Sequence, residues 1–309
     1  MPHTKIINEF KTPIIRSRDY NIQNNDNIKY LDNGLFCLSG SWYCSPRLIE
    51  VINKIKYKNI FVLANTEEEK DFYESKMEND VILCNNNSFL NENVYKILDT
   101  EEKKYDMLIN SRFSGYKNTN VANLVNNVVH IGYLDGKKTK IPDFGYLPNF
   151  NNIKPNVKSL YNPNNIGFKY LLPEEIVKYA NQSYAGGIFS PIEGSCNASS
   201  EYLLCGIPVI SVKSKGGRDV WYNEKNSIIC ENNPNDIVKC VNIAKEKLKN
   251  GEFNSETIRQ MHLDQMDINR NILTDYVYDK LIDMNNENVD KVKLKQSLLY
   301  HDNVNYFIK

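Results

Sequence analysis

Short apolar runs recur along this chain, and between most of them lies a segment with helical spacing. Residues 34–40 read Gly-Leu-Phe-Cys-Leu-Ser-Gly, a short buried strand closed by glycine. Ser45 can cap a following helix with Pro46 in its first turn, and Leu48, Ile49, Val51, Ile52 and Ile55 continue at helical spacing. Residues 59–64 form a second strand. Thr66 then caps a helix that opens on Glu67, Glu68 and Glu69, where carboxylates suit the positive end of a helix dipole. Residues 81–84 are a third strand. Strands alternating with helices predict a parallel α/β sheet.

The pattern restarts at Tyr105. Strands are expected at 106–110, 128–132, 187–190, 207–212 and 227–231, and helices at 119–126, 173–180, 195–204 and 236–248. Residues 255–309 read as mostly helical. Residues 1–30 are polar and read as irregular, and 135–168 read as a long Asn/Pro/Gly-rich loop. The economical division is an α/β unit over 1–101 and a second over 102–270.

Bulk properties exclude several classes. Lys plus Arg and Asp plus Glu both total 38, so nothing favours a nucleic-acid partner. No apolar run approaches the roughly 20 residues of a membrane span, and no apolar signal core follows Met1. Seven cysteines without a CxxC pair predict reduced thiols in a cytoplasmic protein, free or at a membrane surface. There is no HExxH, GxSxG or P-loop, and of the four histidines only His130 falls in an expected strand, where a packed core role suits it. No metal or cofactor is called for.

The chemistry concentrates in one run. Glu193 and Glu201 stand eight positions apart, with small residues between them, ahead of Cys205-Gly206-Ile207-Pro208-Val209-Ile210. Glu193 is expected at a strand end, where ligands bind in open α/β sheets. Gly194, Ser195 and Cys196 open the helix, where unpaired backbone N–H groups suit a diphosphate. Glu201 lies about 12 Å further along the helix axis. That separation suits one carboxylate at a sugar ring and the other at a ribose. Alone, such a pair is more often a helix-opening glutamate and an unrelated surface one.

In context the run resembles the retaining GT-B glycosyltransferases related to family 4. Their Glu-x7-Glu hallmark precedes a small residue or Cys, Gly, any residue, Pro, Val and an apolar residue, as Glu193, Glu201, Cys205, Gly206, Pro208, Val209 and Ile210 do here. A second signature of that family, an Arg and a Lys five positions apart after a strand, is matched by Arg112 and Lys117. A third, a double-glycine turn, is matched by Gly216 and Gly217, followed by Arg218. The resemblance spans about 105–245. It implies a GT-B architecture, two Rossmann-like domains facing across a cleft, the N-terminal one reduced and with helices from about 271 to 309 packing back on it. It also implies transfer of a sugar from a UDP- or GDP-linked donor to a glycan or other hydroxyl acceptor, with retention of configuration.

By the same resemblance Glu193 contacts the transferred sugar, Glu201 the ribose hydroxyls, and Arg112 and Lys117 the diphosphate. Fixed cations would stabilise the charge that builds on the leaving group. Arg218 is open between a phosphate contact, an acceptor contact and an exposed loop charge. Gly40, Ser41 and Trp42, after the first strand, are expected on the acceptor side. Ser111 and Asn118 stand where the family usually has glycine, and Gly194-Ser195-Cys196 replaces its usual Phe-Gly, which leaves the donor identity open. The absence of Asp-x-Asp argues against the metal-dependent GT-A type. Two other readings are a non-catalytic sugar-nucleotide or glycan-binding module and a GT-B-like sugar-nucleotide epimerase.

Overall fold

Each expected strand–helix alternation closes into a sheet of its own. The computed structural model describes residues 5–18, 33–55, 58–99, 101–112, 114–133, 158–159, 171–284 and 288–299. The chain divides into two compact units: Met1–Asn91, Glu193–Ser195 and Asp264–Lys309 form the first, and Glu92–Ile192 and Cys196–Leu263 the second.

The first unit holds strands β1 (Lys5–Ile7), β2 (Ile14–Arg18), β3 (Leu35–Ser39), β4 (Ile60–Ala64) and β5 (Val81–Leu83), ordered β1-β2-β3-β4-β5. The pairings are parallel except for β1, which runs antiparallel on β2. Helices α1 (Pro46–Ile55) and α2 (Glu67–Glu74) join the later strands. Alternation along the strands sorts the core into two layers. Phe36, Leu38, Ile60 and Val62 pack with Leu48, Val51, Ile52 and Tyr73 from α1 and α2. Leu35, Cys37, Phe61 and Leu63 face the other way, onto Leu273, Val277 and Leu281 of α6 (Ser255–Asp283) and Leu294 and Leu298 of α7 (Lys291–Leu298). The sheet is therefore covered on both faces, which is why β3 and β4 are continuously apolar.

Residues 5–18 correct the expectation of an irregular N-terminus. Ile14 and Ile15 are fully buried, and so is most of Arg16 between them and Arg18. The Arg16 guanidinium lies 3.7 Å from the centre of the Phe89 ring and donates to the Leu298 carbonyl. A strand bearing two arginines becomes buried because these distant partners accept the charge.

The second unit is a six-stranded, wholly parallel sheet: β6 (Met107–Arg112), β7 (Val128–Tyr133), β8 (Lys158–Ser159), β9 (Gly186–Ile188), β10 (Val209–Val212) and β11 (Ser227–Cys230). The order is β11-β10-β9-β6-β7-β8. Helices α3 (Pro173–Asn181), α4 (Asn197–Leu204) and α5 (Pro234–Lys249) accompany the strands. Two expectations change here. The helix expected over 119–126 is only a 3-10 turn, Thr119–Ala122, and β8 lies within the segment read as loop. The rest of that segment falls outside the described residues. Among the described residues no helix is long and apolar enough to cross a membrane.

Candidate functional site

Strand order locates the place where the second unit can bind a ligand. The chain builds outward from β6 to β7 and β8, then returns to the other side of β6 with β9, β10 and β11. Connections leaving β6 and β9 therefore part in opposite directions, and a crevice opens at their carboxyl ends. Asn110 lies near that end of β6, and α4 follows β9.

An absence of side chain lets α4 close onto β9. Gly186 of β9 pairs with Leu108 of β6, and a Cβ on Gly186 would lie 2.0 Å from the Tyr202 ring. Tyr202, on α4, is fully buried, and its hydroxyl accepts the Asn110 backbone N–H at 2.6 Å. The neighbouring residue on α4 is Glu201, whose carboxylate accepts the Asn110 side-chain amide at 2.8 Å and the Tyr95 hydroxyl. Glu201 is thus anchored at the switch point by Asn110 and Tyr95. Burial pushes its carboxyl up, against the pull of those two hydrogen bonds. The same burial, with the Glu201 charge alongside, holds the Tyr95 phenol well above its ordinary value. A carboxylate offers about four acceptor positions, and among the described residues these two donors take half of them. The remainder suits a pair of adjacent hydroxyls.

The rest of the Glu201 segment follows from its local chemistry. α4 is buried nearly all round, Ser199 through Leu204, so it can only be an interior helix. It stops where Gly206 takes a left-handed conformation (φ 69°), with Gly206 N–H donating to Leu203 and Ile207 N–H to Tyr202. Pro208 has no N–H to offer, and β10 begins directly after it. The Cys-Gly-Ile-Pro-Val run is thus a helix stop followed by a strand start. At the other end Cys196 caps α4 in the left-handed region (φ 54°). A non-glycine residue there costs about 1–2 kcal/mol, and that strain sits where the helix presents its first backbone amides.

The other expected residues lie as follows. Arg112 ends β6 opposite Tyr133; its side chain lies outside the described residues. Lys117 closes a 3-10 turn, Gly115–Lys117, directly after β6, with its amine 5.2 Å from the Tyr116 ring centre. Asn118 follows in the left-handed region and donates to the Asn232 side chain. Gly216 and Gly217 form the turn after β10, beside the bridge pairing Ile192 with Lys215. Arg218 is fully buried. Its guanidinium donates to the Ser190 carbonyl (2.9 Å), the Val212 carbonyl (2.6 Å) and Asp219 (3.0 Å). Those bonds tie the ends of β9 and β10 together, so Arg218 braces the loops instead of standing as an exposed charge.

Glu193, Gly194 and Ser195 group with the first unit. Glu193 and Ser195 are buried, and the Ser195 carbonyl accepts the Asn87 amide at 2.6 Å. A Cβ on Gly194 would meet the backbone of Trp42 and Tyr43 at 4.0 Å, an ordinary contact. Gly40 and Ser41 are half-buried, and Trp42 is 39% exposed.

Two residues of the cluster escape sequence reasoning. Asn110 reads as a strand residue, and only its place at the end of β6 hints at more. Tyr95 lies in a stretch without periodicity and carries no signal. His130 is a buried core residue with Nε2 3.3 Å from the Ser111 hydroxyl, and burial pushes its pKa down to about 4. All seven cysteines are unbonded thiols. Among the described residues, one group of potential metal ligands gathers, Cys230, Asp236 and Cys240.

The chain matches no protein-family model and no curated protein sequence. Its likeness is to solved structures. HepE of Anabaena, solved in complex with UDP and glucose, has a TM-score of 0.54 at 14% identity, over 82% of this chain and 77% of HepE. TarM has a TM-score of 0.60 at 18% identity, over 86% of this chain and 54% of TarM. Sucrose-phosphate synthase of Thermosynechococcus elongatus has a TM-score of 0.54 at 14% identity, over 87% of this chain and 73% of that one. At these identities the likeness is one of architecture, and that architecture is the GT-B fold of glycosyltransferases.

Proposed function

We propose that this chain is a glycosyltransferase that moves a hexosyl group from a nucleotide-sugar donor to an acceptor hydroxyl. The observation that carries the reading is Glu201, held by Tyr95 and Asn110 at the switch point of a wholly parallel sheet. A buried carboxylate with acceptor capacity to spare is what the adjacent hydroxyls of a ribose require. The UDP and glucose in HepE, a protein of the same fold, make UDP the first choice of nucleotide, ahead of GDP. The seven unbonded thiols support a cytoplasmic setting.

In this reading Glu201 holds the ribose and Glu193 the transferred sugar. The diphosphate lies with Arg112 and Lys117, and the amides of Gly194, Ser195 and Cys196 and the Gly216-Gly217 turn supply further donors. Arg218 positions the Gly216-Gly217 turn through its bonds to Ser190 and Val212. The bond between the anomeric carbon and the phosphate oxygen breaks, and the nucleoside diphosphate leaves. The acceptor oxygen bonds to the anomeric carbon on the same face, and its proton passes to the departing phosphate. Configuration is retained, and the step needs no metal ion. Gly40, Ser41 and Trp42 serve the acceptor, a glycan or another hydroxyl compound.

A thermal-shift panel of UDP, GDP and ADP tests the donor assignment. A ligand at 100 times its dissociation constant adds about 2.7 kcal/mol of stability, and UDP is expected to do so. Stabilisation by none of the three overturns the reading. UDP-glucose turnover with and without chelator, in wild type and Glu193→Ala, tests the chemistry. We expect chelator-insensitive release of UDP in the wild type and its loss in the variant. Binding without turnover in either protein would make the chain a sugar-nucleotide-binding module, and epimerised donor without transfer an epimerase.

A further inference from the structure

The connection between β11 and α5 gathers two thiols and a carboxylate that the donor reading does not use. Cys230 is the last residue of β11, and Asp236 and Cys240 stand one turn apart on the same side of α5. The two sulfurs and a carboxylate oxygen all lie within 4.8 Å of one another, with Cys240 Sγ 3.9 Å from Asp236 Oδ2. A tetrahedral zinc centre with its usual bond lengths sets two thiolates about 3.8 Å apart, and a thiolate and a carboxylate oxygen about 3.5 Å apart. The observed spacing needs only a few tenths of an ångström to about one ångström of closure.

The three groups are held by different backbone anchors. Asn233 caps α5 by accepting the Asp236 N–H, and Pro234 fixes the first turn. The Glu231 N–H donates to Asp236 Oδ2 at 2.8 Å, a bond of the kind that orients a ligating carboxylate from outside the first coordination sphere. Both cysteines are buried, at 6% and 5% exposure, while Asp236 is half-buried and gives the group its opening to solvent. Packing accounts for each thiol, and helix capping for the carboxylate. The Cys240 thiol donates to Asp236 Oδ2, and a cation held by all three groups would take the place of that proton.

We propose that Cys230, Asp236 and Cys240 bind a zinc-class divalent cation, with the fourth position taken by water. Two sulfur ligands select a borderline-soft ion over magnesium or calcium. Binding releases two protons, one from each thiol, so that two thiolates and a carboxylate face the ion. The ion would be structural and takes no part in glycosyl transfer. Asn232, in the same connection, accepts the Asn118 amide at 2.7 Å next to Lys117 and so links the site to that machinery.

The test uses the full chain, reduced and stripped of metal, titrated with Zn²⁺ against a chromophoric chelator. The wild type is expected to take up one equivalent, and Cys230→Ser/Cys240→Ser to lose it. Asp236→Asn keeps an acceptor for the Glu231 N–H and so preserves the fold; its affinity is expected to fall at least tenfold. Co²⁺ loading should give thiolate-to-cobalt charge-transfer bands in the wild type. No stoichiometric uptake by the wild type, equal affinity in Asp236→Asn, or a Co²⁺ complex without those bands would each overturn the site.

Discussion

Glu69 and Glu201 are both buried carboxylates near the carboxyl ends of parallel strands, one in each unit, and they are held in opposite ways. Glu69 accepts the Asn65 N–H (2.7 Å), the Asn65 side-chain amide (2.9 Å) and the Cys44 N–H (3.2 Å). It ties the loops after β3 and β4 to the first turn of α2, whose cap Thr66 accepts the Glu69 N–H. Among the described residues, Glu201 is held by two side-chain donors. The first arrangement fixes the backbone. The second orients a carboxylate that keeps acceptor capacity. Burial raises both carboxyls above their ordinary range, so burial alone does not separate a brace from a binding group. The partners do.

The contrast can be broken most forcefully at Glu69. Glu69→Ala strands three donors, two of them backbone amides, at about 1–3 kcal/mol each for the most buried. A large fall in chemical-denaturation midpoint is expected, with UDP affinity unchanged in the folded protein. A variant of wild-type stability would show that Glu69 is no brace.

Glu201→Ala is the converse. Loss of hydrogen bonds to a charged acceptor, about 1.5–3 kcal/mol, predicts a 10- to 100-fold weaker UDP affinity by calorimetry. Unchanged UDP affinity would place Glu201 with Glu69 as a structural group.

Gly186→Ala sharpens the comparison without touching a ligand group. The added methyl meets the Tyr202 ring, and overpacking of this kind costs about 1–3 kcal/mol. Because Tyr202 accepts the Asn110 N–H, the Asn110–Glu201 bond shifts with it. Stability and UDP affinity should fall together; a fall in stability alone would uncouple the packing from the carboxylate.

The smallest effect is at His130. Its pKa is about 4 in the folded chain, against an ordinary 6.5. Between those values the unfolded chain binds the proton and the folded chain does not, so stability rises with pH there and falls on acidification. His130→Gln should flatten the stability–pH curve across that window, and an unchanged slope would assign it to other groups.

Much of the second unit is legible in the sequence because its elements carry local signals. Pro173 and Glu175 open α3, where the Glu175 carboxylate accepts the Leu172 N–H, and Gly206 and Pro208 mark where α4 stops and β10 starts. Glu201 is legible by its spacing. Residues 5–18 are not, because Ile14-Ile15-Arg16 becomes a buried strand only through Phe89 and Leu298, far away along the chain. Tyr95 fails for the same reason: its partner is 106 positions on, and nothing periodic surrounds it. Arg218 stays open between a ligand contact and a loop charge in the sequence, because the carbonyls that bury it belong to Ser190, just after β9, and Val212, the last residue of β10.

The first unit is assembled from both ends of the described chain, and this sets a schedule during synthesis. Strands β2 to β5 leave the ribosome with only the α1–α2 face of their sheet covered. The other face waits for Leu273 through Leu298. At about 5–20 residues per second, the interval from Asn91 to Leu298 lasts roughly 10–40 s. Leu35, Phe61 and Leu63 wait uncovered until α6 is made, and Arg16 lacks its Leu298 carbonyl until α7 is. The second unit, which is complete by Leu263, can fold within that wait. A nascent chain stalled before α7 should therefore be bound by chaperones through β2 to β5, and released once α7 is made.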